Sequence, residues 1–303
     1  MISRHCLDRK FFFFSGKGGV GKTTISSALA VALSERGLRT LLVSLDPAHS
    51  LSLALDVEVG GEVKKVSENL FAVEIDVESE MKSYLRRVKK EAEKVVSPVI
   101  LEEIKDQIDL AYYSPGAFEL AILDVIHRII LKAGKSYDRI VFDTAPSGYT
   151  LRLVSLPYLL NRWFNRLIDL RKEALRLQFY SALEDKRKLE EVYSQDTVLS
   201  VLVKRKEQIE TLKGVLLNRE KTLFGIVVNP AVLPIQIAKK TVDELEASGI
   251  GVELVVFNRF RGKIEEVRKT FSGKRIVLVR EKEKEPIGIE QLRLLGKELL
   301  SHS

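Results

Sequence analysis

The sequence predicts an α/β protein with a doubly wound, mostly parallel sheet and an inserted helical subdomain. Three observations carry that expectation. Short apolar runs alternate with segments of helical periodicity at both ends of the chain, the rhythm of parallel strands joined by crossover helices. A glycine-rich phosphate-binding pattern stands between the first run and the first helix. Two long helical blocks, about 77–135 and 151–215, interrupt the rhythm.

In chain order, FFFF at 11–14 reads as a buried strand, and Thr24–Leu33 as a helix rich in small residues. Thr40–Leu45 and Leu70–Ile75 are apolar β-branched runs, hence strands. Residues 81–96 make a charged helix with a narrow apolar stripe, and 117–134 carry apolar residues every three or four positions. Arg139–Phe142 is a strand that ends in Asp143. Residues 151–222 are helical again. Leu156, Leu160, Trp163 and Phe164 belong to a dense stripe there, followed by mostly charged sequence from 171 to 213. The leucines of 156–170 form either a groove or the core of their own excursion. Strands then return at 223–228, 252–258 and 275–280, with helices at 238–249, capped by Gly249, and at 289–300. The whole chain, 1–303, is read as a single domain whose two excursions make one client or partner subdomain.

Composition narrows the function classes. Hydrophobic residues make up 45% of the chain, enough for a sizeable core, and the net charge is +7 with no long block of one sign. That balance describes a solvated basic surface, and no nucleic-acid partner is expected. The lone cysteine, Cys6, forbids an intrachain disulfide and a Cys-x-x-Cys metal site within one chain, so no structural zinc is expected. The apolar run at 11–14 is too short for a secretory leader, and no stretch approaches the ~18 apolar residues of a membrane span. The expected location is the cytoplasm.

The loop itself is GKGGVGKTT, residues 16–24. Gly16, Gly18, Gly19 and Gly21 let the backbone wrap a phosphate chain, with Val20 inside the wrap. Lys22 supplies a point charge to the outer phosphates. Thr23 offers a hydroxyl to Mg²⁺, and Thr24 opens the helix whose positive end faces the same anion. Asp46 and Asp143 each stand at the end of a strand. Each caps a helix or turn, or serves Mg²⁺–nucleotide chemistry, one holding a Mg²⁺-bound water and the other orienting the attacking water. Gly148 lies where a backbone N–H can sense a γ-phosphate, and Asn258 ends a further strand. His49 is either a turn residue or a functional one.

GKGGVGKTT with its extra lysine, DPAHS (46–50) and DTAPSGYTLR (143–152) together resemble the family of the arsenical pump-driving ATPase and the ATPase that guides tail-anchored membrane proteins. The resemblance covers almost the whole chain. It implies an ATP-hydrolysing, Mg²⁺-dependent homodimer in which Lys17 reaches the partner's nucleotide and stabilises transition-state charge there. It further implies that Asp46 activates water, that Asp143 supports the Thr23-bound Mg²⁺ through water, and that Asn258 recognises adenine. The implied client is a hydrophobic transmembrane segment or a membrane-protein partner. The alternatives are a pump ATPase moving arsenite or another anion, a positioning ATPase that holds DNA or membrane through a basic surface or the 289–300 helix, and a non-enzymatic nucleotide-binding scaffold. The chain departs from the family where it has Pro230-Ala231 in place of a Pro-Glu, Tyr149 in place of a histidine, and no zinc cysteines. It also has only Met1 and Met81, where tail-anchor binders have a methionine-lined groove.

Overall fold

Consecutive phenylalanines fit only where both faces of a strand are covered. β1 (Phe11–Ser15) meets that demand by lying inside a sheet, between parallel β5 (Arg139–Asp143) and parallel β6 (Thr222–Val228). On one face Phe13 stacks between Phe142 and Phe224, with ring centroids 4.4 and 5.0 Å away. On the other, Phe12 and Phe14 join the apolar cluster that includes residues of α2 (Lys22–Ser34) and of α11, the helix over Ile289–Leu300. The computed structural model describes residues 2, 4–48, 50–114, 116–145, 147–181, 189–261 and 269–300.

Among those residues the sheet has eight strands in the order β3-β4-β2-β5-β1-β6-β7-β8. The others are β2 (Thr40–Ser44), β3 (Lys64–Lys65), β4 (Leu70–Glu74), β7 (Val252–Phe260) and β8 (Arg275–Arg280). Only β3 runs antiparallel to its neighbour, and its two exposed lysines blunt that edge. The chain leaves β1 for β2 on one side and later crosses to β6 on the other. The crevice for a ligand therefore opens at the carboxyl ends of the central strands.

The chain divides into two compact units. The sheet unit comprises Met1–Val77, Arg128–Val154 and Val215–Ser303; the helical unit comprises Glu78–His127 and Ser155–Gly214. Within the sheet unit, α11 crosses α2 at Gly296, where an added Cβ would stand 2.6 Å from the Ala28 carbonyl oxygen. Leu292, Leu295 and Leu299 of α11 are buried, so this amphipathic helix docks on its own domain.

The helical unit is built from parts of α4 (Val77–Val95), α6 (Ala117–Lys132), α7 (Ser147–Ser181) and α9 (Thr197–Leu216), with all of α5 (Pro98–Leu110) and α8 (Leu189–Gln195). Ion pairs tie these helices: Arg87 to Asp124, Lys89 to Asp109 and Arg205 to Glu91, each at 2.6 Å. Asp196 accepts from the Leu199 N–H at 2.7 Å, capping α9, and pairs with Arg171 at 2.6 Å.

Most differences from the sequence expectation are short elements. α1 (Arg4–Leu7), α3 (Leu51–Leu55) and β3 are too short to show a period. α10 runs Val232–Ala247, starting earlier than the expected 238. Pro234 sits in its first turn, where a missing N–H leaves no helical bond unmade, so proline there opens a helix instead of blocking one. Gly249 follows that helix at φ 85°, as a left-handed cap requires.

Candidate functional site

The loop between β1 and α2 is fixed by close approach. A Cβ on Gly16 would lie 2.3 Å from the Val227 carbonyl oxygen, and Gly21 has φ 90° with no room beside the Asn258 amide. The first intrahelical bond of α2 runs from the Ile25 N–H to the Gly21 carbonyl. The N–H groups of Lys22, Thr23 and Thr24 therefore have no helical acceptor and face an anion site. Asn258, at the far end of β7, staples the loop: its Nδ2 donates to the Val20 carbonyl at 2.9 Å, and its Oδ1 accepts the Arg259 N–H at 3.0 Å. One amide hydrogen and one lone pair of Asn258 stay beyond those two bonds.

Both aspartates converge on this loop. Lys22 is buried with its Nζ 3.6 Å from Asp46 Oδ2, while Asp46 Oδ1 caps the turn by accepting the Ala48 N–H at 3.1 Å. Turn cap and charged partner are thus one residue. Asp143 is fully buried, and its Oδ2 accepts the Thr23 hydroxyl at 2.6 Å. Thr23 Oγ1 also lies 2.8 Å from Ser50 Oγ. Burial raises the Asp143 carboxyl to about 7; the Thr23 hydrogen bond and the Lys22 charge pull it down, and Asp46 pushes it up.

Asp143 Oδ1 is buried and has no hydrogen-bond partner among the described residues. A dry carboxylate with an orphaned oxygen beside two hydroxyls is an oxygen-only donor set, the kind a hard divalent cation takes. The residues present therefore fit Mg²⁺.

A cavity of about 380 Å³ opens over the loop, lined by Gly18, Lys22, Thr23 and Asp46 on one side and by Arg259 and Pro286 on the other. A second pocket of about 240 Å³ shares Thr24, Arg259, Glu285 and Pro286 with it. Arg259 holds φ 55°, uncommon for a residue with a side chain, and its Nη2 meets Glu285 at 2.8 Å. Arg259, Glu285, Pro286 and Ser50 were not anticipated. The Pro-x-Gly at 286–288, just before the final helix, is the signal that could have drawn attention to that wall.

Lys17 is exposed and does not line its own chain's cavity. Gly148 lies in the first turn of α7, right after β5, where helical N–H groups have no helical acceptor. α7 belongs to the sheet unit through Val154 and to the helical unit from Ser155. His49 lies outside the described residues.

A glycine-rich loop between a central strand and a helix, with aspartates at two neighbouring strand ends, defines a P-loop nucleotide-hydrolase fold. Residues 9–263 match the anion-transporting ATPase family, and the chain belongs to that family. It is 37% identical over 250 residues to the "Putative arsenical pump-driving ATPase 2" of Aquifex aeolicus, covering 82% of this chain and 80% of that one. It is 34% identical over 263 residues to the "Putative arsenical pump-driving ATPase" of Chlorobaculum tepidum, covering 81% of this chain but only 60% of the relative. With the "ATPase ASNA1 homolog 1" of Paramecium tetraurelia it shares 30% identity over 261 residues, 82% of this chain and 74% of that one. The chain is an ATPase of this family.

Proposed function

We propose that this ATPase is a Mg²⁺-dependent, dimeric nucleotide switch that opens and closes a helical surface for hydrophobic membrane-protein segments, tail-anchored proteins foremost. The observation that carries the client side is exposed apolar surface within the helical unit. Val99 is 91% exposed, Tyr113 84%, Leu177 66% and Leu159 59%, and α5 buries no residue at all. Large apolar side chains left in water mark an interaction surface where they cluster, and these are the residues from which the helical unit would build one. Valine, leucine and aromatic residues there take the place of the methionines of a tail-anchor groove.

The hydrolytic steps follow from the site. The loop N–H groups and Lys22 hold the phosphate chain, and Lys22 turns toward it from Asp46. Asp46, released from that pair, orients and deprotonates the attacking water. Mg²⁺, when bound, neutralises charge on the outer phosphates, and Thr23 and Asp143 would hold it, Asp143 through water. Asn258 anchors the loop and keeps an N–H and a lone pair for the adenine edge. Lys17 is exposed and does not line its own cavity, which suits a role in the partner's site. Val232 and Leu233, 74% and 56% exposed beside Ala231, offer the sheet unit an apolar surface for that partner. Gly148 reads the γ-phosphate through its backbone, and α7 continues from that residue into the helical unit.

A pump role is favoured by the names of two relatives. Against a soft-metal substrate stands the single thiol of the chain, Cys6, buried in the sheet unit. A DNA- or membrane-positioning role loses its terminal helix, because the apolar face of α11 is buried.

The test is capture. Asp46→Asn protein, expressed with a substrate bearing a C-terminal transmembrane helix, is expected to elute with it as a soluble complex in ATP only. A nucleotide-dependent dimer that leaves the helix aggregated would rule out the client and retain the switch.

A further inference from the structure

Within the helical unit, α4, α6, α7 and α9 enclose a cavity of about 110 Å³ that the nucleotide chemistry does not use. Leu123, Phe164 and Ile209 supply apolar wall, and Trp163, 57% exposed, stands at its rim. The charges around it are already matched. Arg205 directs Nε and Nη2 to Glu91 and Nη1 to Gln208, and Asp124 pairs with Arg87. A charged guest would leave water for a wall with no free countercharge.

Two polar groups that line the same cavity, one from α4 and one from α6, are different. Among the described residues, neither the Tyr84 hydroxyl nor the His127 ring hydrogen-bonds to a protein group. His127 is buried, and burial lowers its pKa, with Asp124 opposing and Arg205 assisting. The imidazole is therefore neutral and offers an acceptor nitrogen. Tyr84 offers a donor; burial raises its pKa, so it keeps its proton. A hydroxyl can accept from one and donate to the other at once.

We propose that this cavity binds small, neutral, hydroxyl-bearing apolar molecules of about the size of phenol. The ring or chain meets Leu123, Phe164 and Ile209, and the hydroxyl sits between Tyr84 and His127. Apolar protein cavities of about 150 Å³ take up benzene; this one is smaller, about 110 Å³, but it is open at the Trp163 rim, so part of a phenol-sized guest can extend there. Here two polar groups would add selectivity for the alcohol over the hydrocarbon. The site shares no residue with the nucleotide cavity and does not depend on the client reading.

Trp163 is the single tryptophan of the chain, so its emission reports occupancy of its own pocket. The full-length protein is titrated with phenol, benzene and benzoate, with free tryptophan amide as the control for collisional quenching. The expected result is saturable binding of phenol, roughly five- to tenfold weaker binding of benzene, and no saturable binding of benzoate. Tyr84→Phe and His127→Leu should each weaken phenol several-fold and leave benzene unchanged. Tyr84→Phe removes one oxygen and keeps the ring, so it decides the matter if His127→Leu does not fold. Linear quenching that matches the control would overturn the proposal. So would equal affinity for phenol and benzene, or a Tyr84→Phe protein that binds phenol as well as the wild type.

Discussion

β1 and α5 treat their apolar side chains in opposite ways. Every residue of β1 is buried, and the loop after it leaves no room for a Cβ at Gly16 or Gly21. α5 carries valine, isoleucine and leucine yet buries none of them, and Lys89 ties it to α4 through a side chain of Asp109 that is itself 63% exposed. Exposed ion pairs contribute about 0–1 kcal/mol each and rearrange readily. The contrast teaches that close packing commits one unit to a fixed site, whereas exposed ion pairs leave the other's helices less constrained. Close-packed glycines and dry carboxylates accept one chemistry; under the proposed function, exposed apolar helices held by surface charge would take varied clients.

The largest effects should follow from breaking the committed unit at its charges. Lys17→Ala is expected to lower ATP turnover ~10³-fold or more. Its ATP affinity should stay close to wild type, because Lys17 lies outside its own cavity; single-turnover kinetics and equilibrium binding separate the two. Asp46→Asn should lower turnover ~10²–10⁴-fold while retaining bound ATP.

Next comes the buried carboxylate. Asp143 is raised from 3.8 to about 7 in the fold, so its protonated form is the one the fold favours. Its contribution to stability is fully present below about pH 4 and is lost as pH rises through about 7. Without nucleotide or divalent cation, unfolding free energy should fall across that window by up to about 4 kcal/mol. Asp143→Asn should flatten the profile, and Mg²⁺ with ATP should restore stability to the wild type at pH 8. Chemical denaturation at a series of pH values checks both.

Smaller effects sharpen the contrast in packing. Gly296→Leu forces α11 away from α2 and should cost about 1–3 kcal/mol in the same assay. Leu159→Ser with Leu177→Ser should change stability by no more than ~0.5 kcal/mol per site, because both side chains already stand in water. The pair should nonetheless weaken client capture. Equal losses of stability from the Gly296 and the leucine variants would erase the distinction between the two units.

The committed unit was also the legible one. The loop, Asp46 and Asp143 follow from local patterns at strand ends, and parallel order follows from the strand–helix rhythm. What was hidden depends on distance along the chain. Asn258 meets Val20 across 238 residues, and Arg259 meets Glu285 only because β7 and β8 lie side by side. No period in the sequence encodes such a meeting. α10 begins six residues before the helical pattern at 238–249, because Pro234 in its first turn hides the start. In the helical unit the stripes of α6 and α7 were visible, but a stripe does not reveal which of its residues stay in water. Nor does it mark Tyr84 and His127 as facing one cavity.

The central claim is that each active site is completed by Lys17 of a second copy, and complementation tests it most directly. Lys17→Ala and Asp46→Asn proteins, each inactive alone, are mixed under conditions that allow subunits to exchange. In a mixed dimer one site combines an intact Asp46 with an intact Lys17 from its partner. With random exchange, half of the dimers are mixed and each has one competent site of two, so ATPase activity should return to about a quarter of wild type. Dimers that exchange and stay inactive at every ratio would contradict the claim, and Lys17 would then act within its own chain.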